Sequence, residues 1–114
     1  MDIRERTIGS VAILDLSGRM VAAGDSRLRD KIHSLVFQQR RHIILNLAGV
    51  PTMDSSALGE LVAAHTTVSR AGGQIKLVNL TSRIHDLLTI TKLATVFETF
   101  EREEDALASF PQAV

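Results

Sequence analysis

From Val11 to Leu16 every residue except Asp15 is apolar, and the run from Ile43 to Leu47 is broken only by Asn46. Short, nearly continuous stretches of Val, Ile and Leu suit strands buried on both faces of a sheet. The charged segment Ile3 to Ile8 reads instead as an edge strand, and Gly9-Ser10 joins it to the Val11–Leu16 strand as a hairpin. Ser17-Gly18 closes that pair. From about Asp25 the period turns helical: Leu28, Ile32, Leu35 and Val36 share one face, while Arg27, Arg29, Asp30 and Gln38 fall elsewhere. Asp25 or Ser26 caps this helix, and Arg40-Arg41 suits its carbonyl end. A strand from His42 to Leu47 follows, then a loop from Ala48 to Met53 containing Gly49 and Pro51.

A second helix is predicted from about Ser56 to Ala71, with Leu58, Leu61, Val62, His65 and Val68 inward and Gly72-Gly73 as a left-handed stop. Gln74 to Val78 is a further strand, and Ile84, Leu87 and Leu88 mark a third helix. Val96 to Phe100 is the last strand, and Glu101 to Phe110 a closing helix. The order is β-β-α-β-α-β-α-β-α. Helices between successive strands imply parallel crossovers, so the expected fold is α/β: a mostly parallel five-stranded sheet with one N-terminal antiparallel hairpin strand and four helices.

With 114 residues, 45% of them hydrophobic, the chain fits one domain over residues 1–114 with a core that needs neither metal nor disulfide. Thirteen basic residues balance thirteen acidic ones, which speaks against a nucleic-acid partner. Four Phe and no Tyr or Trp leave little on which to stack bases. Without Cys there is no thiolate chemistry or Cys-based metal site. The first residues do not form a signal peptide, and no apolar run suits membrane insertion, so a cytoplasmic protein is expected.

Chemistry concentrates at Thr52-Met53-Asp54-Ser55-Ser56-Ala57-Leu58-Gly59, between the carboxyl end of a buried strand and the start of a helix. Ligands and functional groups gather at that edge of α/β sheets, and a helix start tolerates an anion. A phosphoryl group on Ser56 would add roughly −1.5 to −2 charges beside Asp54. Ser and Asp are also ordinary helix caps, and capping alone accounts for any one of them. Gly59 is the odder residue, because glycine inside a helix costs about 1 kcal/mol relative to alanine. It serves either close packing against the sheet or a bare surface for a partner.

Leu45-Asn46-Leu47, continuing through Met53-Asp54-Ser55-Ser56-Ala57-Leu58-Gly59, resembles the signature of STAS-domain anti-sigma factor antagonists. The resemblance runs along the chain, taking in Leu16-Ser17-Gly18-Arg19, Ala71-Gly72-Gly73-Gln74 and Thr91-Lys92-Leu93 to Val96-Phe97. It implies a binding module and not an enzyme, with no cofactor. The partner it implies is an anti-sigma factor that is also a serine kinase with an ATP-binding fold. That kinase would phosphorylate Ser56, with Ser55 as the second choice, and a serine phosphatase would reset it. Met53, Asp54, Ser55, Ala57, Leu58 and Gly59 would form the contact surface around the acceptor. Two positions depart from the family pattern: Ala57 replaces its usual Gly, and Val21 stands where many relatives carry an acid. The alternatives are a STAS scaffold that is not phosphorylated and a small-ligand or lipid-binding STAS domain in a signalling or transport complex. A monomer or weak dimer fits the neutral charge.

Other groupings fall away. His33, His42, His65 and His85 show no metal-ligand spacing. His65 reads as a core or boundary residue, and Ser56, His65 and Asp86 lack any triad pattern. Gly72-Gly73 precedes a strand, so it is no phosphate loop.

Overall fold

The computed structural model describes residues 1–20 and 25–111. Val21, where the family acid would fall, lies outside the described residues. β1 (Asp2–Ile8) and β2 (Val11–Ser17) form the antiparallel hairpin, with Ile8 opposite Val11 and Gly9 at φ 59 in the turn. β3 (His42–Gly49), β4 (Gln74–Val78) and β5 (Glu98–Phe100) add in parallel, and the sheet order is β1-β2-β3-β4-β5.

Strand alternation divides the core between two faces of this sheet. Ala12, Leu14, Leu16, Ile43, Leu45, Leu47, Ile75 and Leu77 point toward α1 (Arg27–Phe37), α2 (Ser55–Arg70) and α3 (Ser82–Ile90). Val11, Ile13, Ile44 and Val78 point the other way, where α4 (Glu103–Ser109) and Phe110 cover them. Sheet positions with both faces covered account for the continuous apolar runs in the sequence.

The thinner α4 layer is tied down by charge. Arg6 on β1 donates to Asp15 at 2.6 Å and to Glu103 at 2.6 Å, linking the hairpin to α4. Hydrogen bonds from Arg6, and secondarily from Asn46, hold the Asp15 carboxyl below its usual pKa against the opposing effect of burial. Lys76, 2% exposed on β4, donates to Ser109 Oγ at 2.6 Å and pairs with Glu98 at 3.2 Å. Its ammonium also lies 4.5 Å from the Phe110 ring centre. A buried ammonium with this many partners is compensated rather than stranded.

Several boundaries differ from the sequence expectation. The last strand begins at Glu98 rather than Val96, because Lys92 at φ 63 starts a 3₁₀ turn over Leu93–Thr95 that consumes the segment. The closing helix starts at Glu103, with Arg102 extended before it. Arg40 closes the carbonyl end of α1, its backbone N–H donating to Leu35 O at 2.9 Å past the left-handed Gln39, although the last turn ending at Phe37 holds no basic residue itself. Ser26 occupies the cap position of α1 without a side-chain cap bond, and Asp25 Oδ1 accepts from the Arg27 N–H at 3.0 Å. The Gly72 stop is present at φ 83. Gly73 is required for another reason: a Cβ there would strike the Arg41 carbonyl and lie 2.9 Å from Val68 Cγ1.

Candidate functional site

The loop between β3 and α2 is held by backbone from both sides. Gly18 N–H donates to Gly49 O at 2.9 Å, and Met20 N–H donates to Thr52 O at 3.1 Å. Asp54 N–H returns a bond to Met20 O at 3.2 Å, making a short parallel bridge between Met20 and Met53. Behind the loop, Thr81 Oγ1 donates to Val50 O at 3.3 Å while also capping α3. Val50 is fully buried and anchors the turn in the core. These bonds tie the loop to the β2 side through Gly18 and Met20 and to the start of α3 through Thr81.

Asp54, extended at φ −91 and ψ 178, is the N-cap of α2, and its Oδ1 accepts from Ala57 N–H at 2.8 Å. The helix therefore begins at Ser55, one residue earlier than its sequence suggests. With capping assigned to Asp54, both Ser55 and Ser56 lie exposed in the first turn. The unpaired amides and partial positive charge of a 16-residue helix lie beneath them.

The sequence-derived contact surface divides in two. Asp54, Ser55, Ser56 and Gly59 are exposed and Met53 is half-buried, so these five share the tip of the loop and the outer face of α2. Ala57 and Leu58 do not belong there: Ala57 is fully buried and Leu58 is 7% exposed, both facing the sheet. Helical geometry explains the correction, since a rotation of about 100° per residue turns the two positions after Ser56 inward. The Ala57 methyl is a core group, so its replacement of the family glycine does not alter the exposed surface. Of the two roles open to Gly59, packing is excluded: a Cβ built there meets nothing within 4 Å.

Sequence reasoning missed Met20, which is 2% exposed and supplies the bridge that fixes the loop. No local pattern marks it, because its partner lies more than thirty residues away. At the same edge of the sheet an open cleft of about 830 Å³ runs past Asn79, Thr81, Ser82, His85 and Asp86. Among the described residues no group of three or more His, Cys, Asp or Glu is placed to hold a metal ion. His65 is half-buried with its ring edge-on to Phe97 at 5.4 Å, the boundary role read from its helix face.

The STAS domain family model matches residues 2–106. Over 100 residues the chain is 28% identical to an anti-sigma F factor antagonist of Paenibacillus polymyxa, covering 85% of this chain and 84% of that protein. It is 30% identical over 91 residues to the anti-sigma-B factor antagonist of Bacillus subtilis, covering 80% and 83%. The fold superimposes on the Bacillus cell fate determinant SpoIIAA in its phosphorylated form with a TM-score of 0.73, at 20% identity over 94% of this chain and 97% of that one. The chain belongs to the STAS-domain family, alongside relatives named as anti-sigma factor antagonists.

Proposed function

We propose that this protein is an anti-sigma factor antagonist: a cytoplasmic binding protein, with no catalytic role of its own, that engages an anti-sigma factor through the tip of the β3–α2 loop and is switched off by phosphorylation of Ser56. The anti-sigma factor in this reading is a serine kinase with an ATP-binding fold, and a serine phosphatase restores the binding form. The names of the two antagonist relatives support the partner class, and the solved phosphorylated neighbour fits the switch. Met53, Asp54, Ser55 and Gly59 form the surface around the acceptor.

One observation carries the reading. Ser56 is exposed in the first turn of α2 while Asp54 alone supplies the cap, so modifying Ser56 leaves the bonds of the fold untouched. A phosphoryl group there gains from the helix dipole when solvated. Pressed under a partner, the same dianion would be desolvated beside Asp54. Binding is thereby lost without unfolding.

The test is a pull-down from native-host lysate with wild type and Ser56→Asp, the bound proteins being identified by mass spectrometry. Expected is capture of a serine-kinase anti-sigma factor by wild type, greatly reduced for the variant, with unchanged melting. Capture of that partner by both forms would remove Ser56 as the control point. Recovery of transporter or scaffold subunits alone would replace the antagonist reading with the scaffold one.

A further inference from the structure

Among the described residues four large apolar side chains are exposed, Ile8, Phe37, Ile90 and Val96, and all lie at one end of the domain. Ile8 closes β1 opposite the first residue of β2, Phe37 ends α1 ahead of β3, Ile90 ends α3, and Val96 immediately precedes Phe97 and β5. This is the amino edge of the parallel strands, opposite the Ser56 loop. Phe37 is 89% exposed and Ile90 79%. Scattered surface apolar residues are ordinary, whereas their confinement to one edge is not.

Charge follows the same division. The segments 37–42, 70–74 and 90–98 that build this edge carry Arg40, Arg41, Arg70 and Lys92, against one carboxylate, Glu98, which is engaged by Lys76 at 3.2 Å. None of those four cations forms an ion pair among the described residues. The row is continuous with the hairpin: Arg40 Nη2 donates to Thr7 at 3.5 Å, and Arg41 O accepts from Gln74 N–H at 2.7 Å. An open recess of about 610 Å³ lies among Gly9, Ser10, Arg40, Arg41 and His42. Arg70 lies in the last turn of α2, and Arg40 and Lys92 follow the ends of α1 and α3, where each complements a helix dipole. Arg41 has no such role, and the helix ends gather all these cations at one edge.

We propose that this amino edge docks the domain peripherally on an anionic lipid surface. Arg40, Arg41, Arg70 and Lys92 meet headgroup phosphates, the recess beside Arg40 and Arg41 takes one headgroup, and Phe37 and Ile90 enter the acyl boundary. No span is involved, and none of the described helices is long and apolar enough for one. Isolated apolar anchors beside a basic row match a fluid interface that adapts to each anchor, whereas a protein partner calls for a contiguous packed core. A second copy docked edge to edge would set cations against cations. Docked this way, the domain points its Ser56 loop away from the bilayer, so the proposal stands whether or not the phosphorylation switch does.

The experiment is flotation of the purified protein with phosphatidylcholine vesicles, with or without about 30% phosphatidylglycerol, at low and high salt. Wild type is expected to float with anionic vesicles only and to release at high salt. Arg40→Gln/Arg41→Gln should partition about 30-fold more weakly, each basic side chain near an anionic surface contributing about a fivefold factor. Phe37→Ser should weaken binding while melting like wild type, and Ser56→Asp should float normally. Absence of wild type from the anionic vesicle fraction, or equal flotation of the arginine variant, overturns the proposal. So does a Phe37-dependent dimer by light scattering that does not float, which would assign the edge to self-association.

Discussion

Exchanging alanine and glycine at two neighbouring positions of α2 gives opposite results if the helix is oriented as described. Gly59→Ala adds a methyl where nothing lies within 4 Å, so it gains helix propensity without a clash. The expected gain is up to about 1 kcal/mol. Ala57→Gly removes a methyl that is fully buried and also loosens the helix backbone. Each of those losses is about 1 kcal/mol, so the variant should be about 2 kcal/mol less stable. For a chain of 114 residues, 1 kcal/mol corresponds to a shift in Tm of about 4 °C. Thermal unfolding followed by circular dichroism should therefore show Gly59→Ala about 4 °C above wild type and Ala57→Gly about 8 °C below. Affinity for the proposed anti-sigma factor should not follow stability. Gly59→Ala puts a methyl into the bare surface and weakens binding, while Ala57→Gly binds normally at temperatures where it is folded. A lower Tm for Gly59→Ala, or an affinity change in Ala57→Gly with melting unaltered, would refute the assignment of the two faces.

Burial, and secondarily the Lys76 ammonium, holds the His42 imidazole below its ordinary pKa where it stacks on Phe110 at 4.7 Å. The unfolded chain therefore takes up this proton first as pH falls below the ordinary 6.5, and stability should drop until the folded ring also titrates. Tm measured from pH 7.5 to 5 should decline in wild type and decline less in His42→Phe; equal slopes would exclude His42 as the cause. Gly73→Ala drives a Cβ into the Arg41 carbonyl, which as backbone cannot step aside, and should cost about 2 kcal/mol in urea unfolding. An unchanged midpoint would mean that the turn relaxes freely.

The sheet and its main helices could be read from the sequence because burial on two faces writes itself as unbroken runs such as Ile43-Ile44-Leu45, and burial on one face as the helical spacing of Leu28, Ile32 and Leu35. The differences fall where a left-handed turn or a contact distant in sequence decides. Val96 reads as strand by composition, yet the turn at Lys92 commits the preceding residues to a 3₁₀ segment. The burial of Lys76 in an apolar strand is not legible locally either, since Ser109 at the end of α4, Glu98 on β5 and the Phe110 ring together compensate its charge. The Met20–Met53 bridge that holds the β3–α2 loop has no local signature.

The candidate site shows the same limit at the scale of single residues. Asp54, Ser55 and Ser56 are interchangeable as caps on propensity alone, so the sequence could not say which one the helix uses. The extended backbone at Asp54 and its bond to Ala57 N–H decide it, and the decision bears on function. A capping serine carries one of the helix's own bonds, and phosphorylating it would set the charge against the fold. Because a carboxylate caps instead, the neighbouring hydroxyls bear no such load, and the helix already begins with a negative group that favours its dipole. Adding charge at Ser56 then alters what can approach the helix far more than it alters the helix. The observations that make Asp54 structural are thus the ones that leave Ser56 outside the cap, as the proposed switch requires.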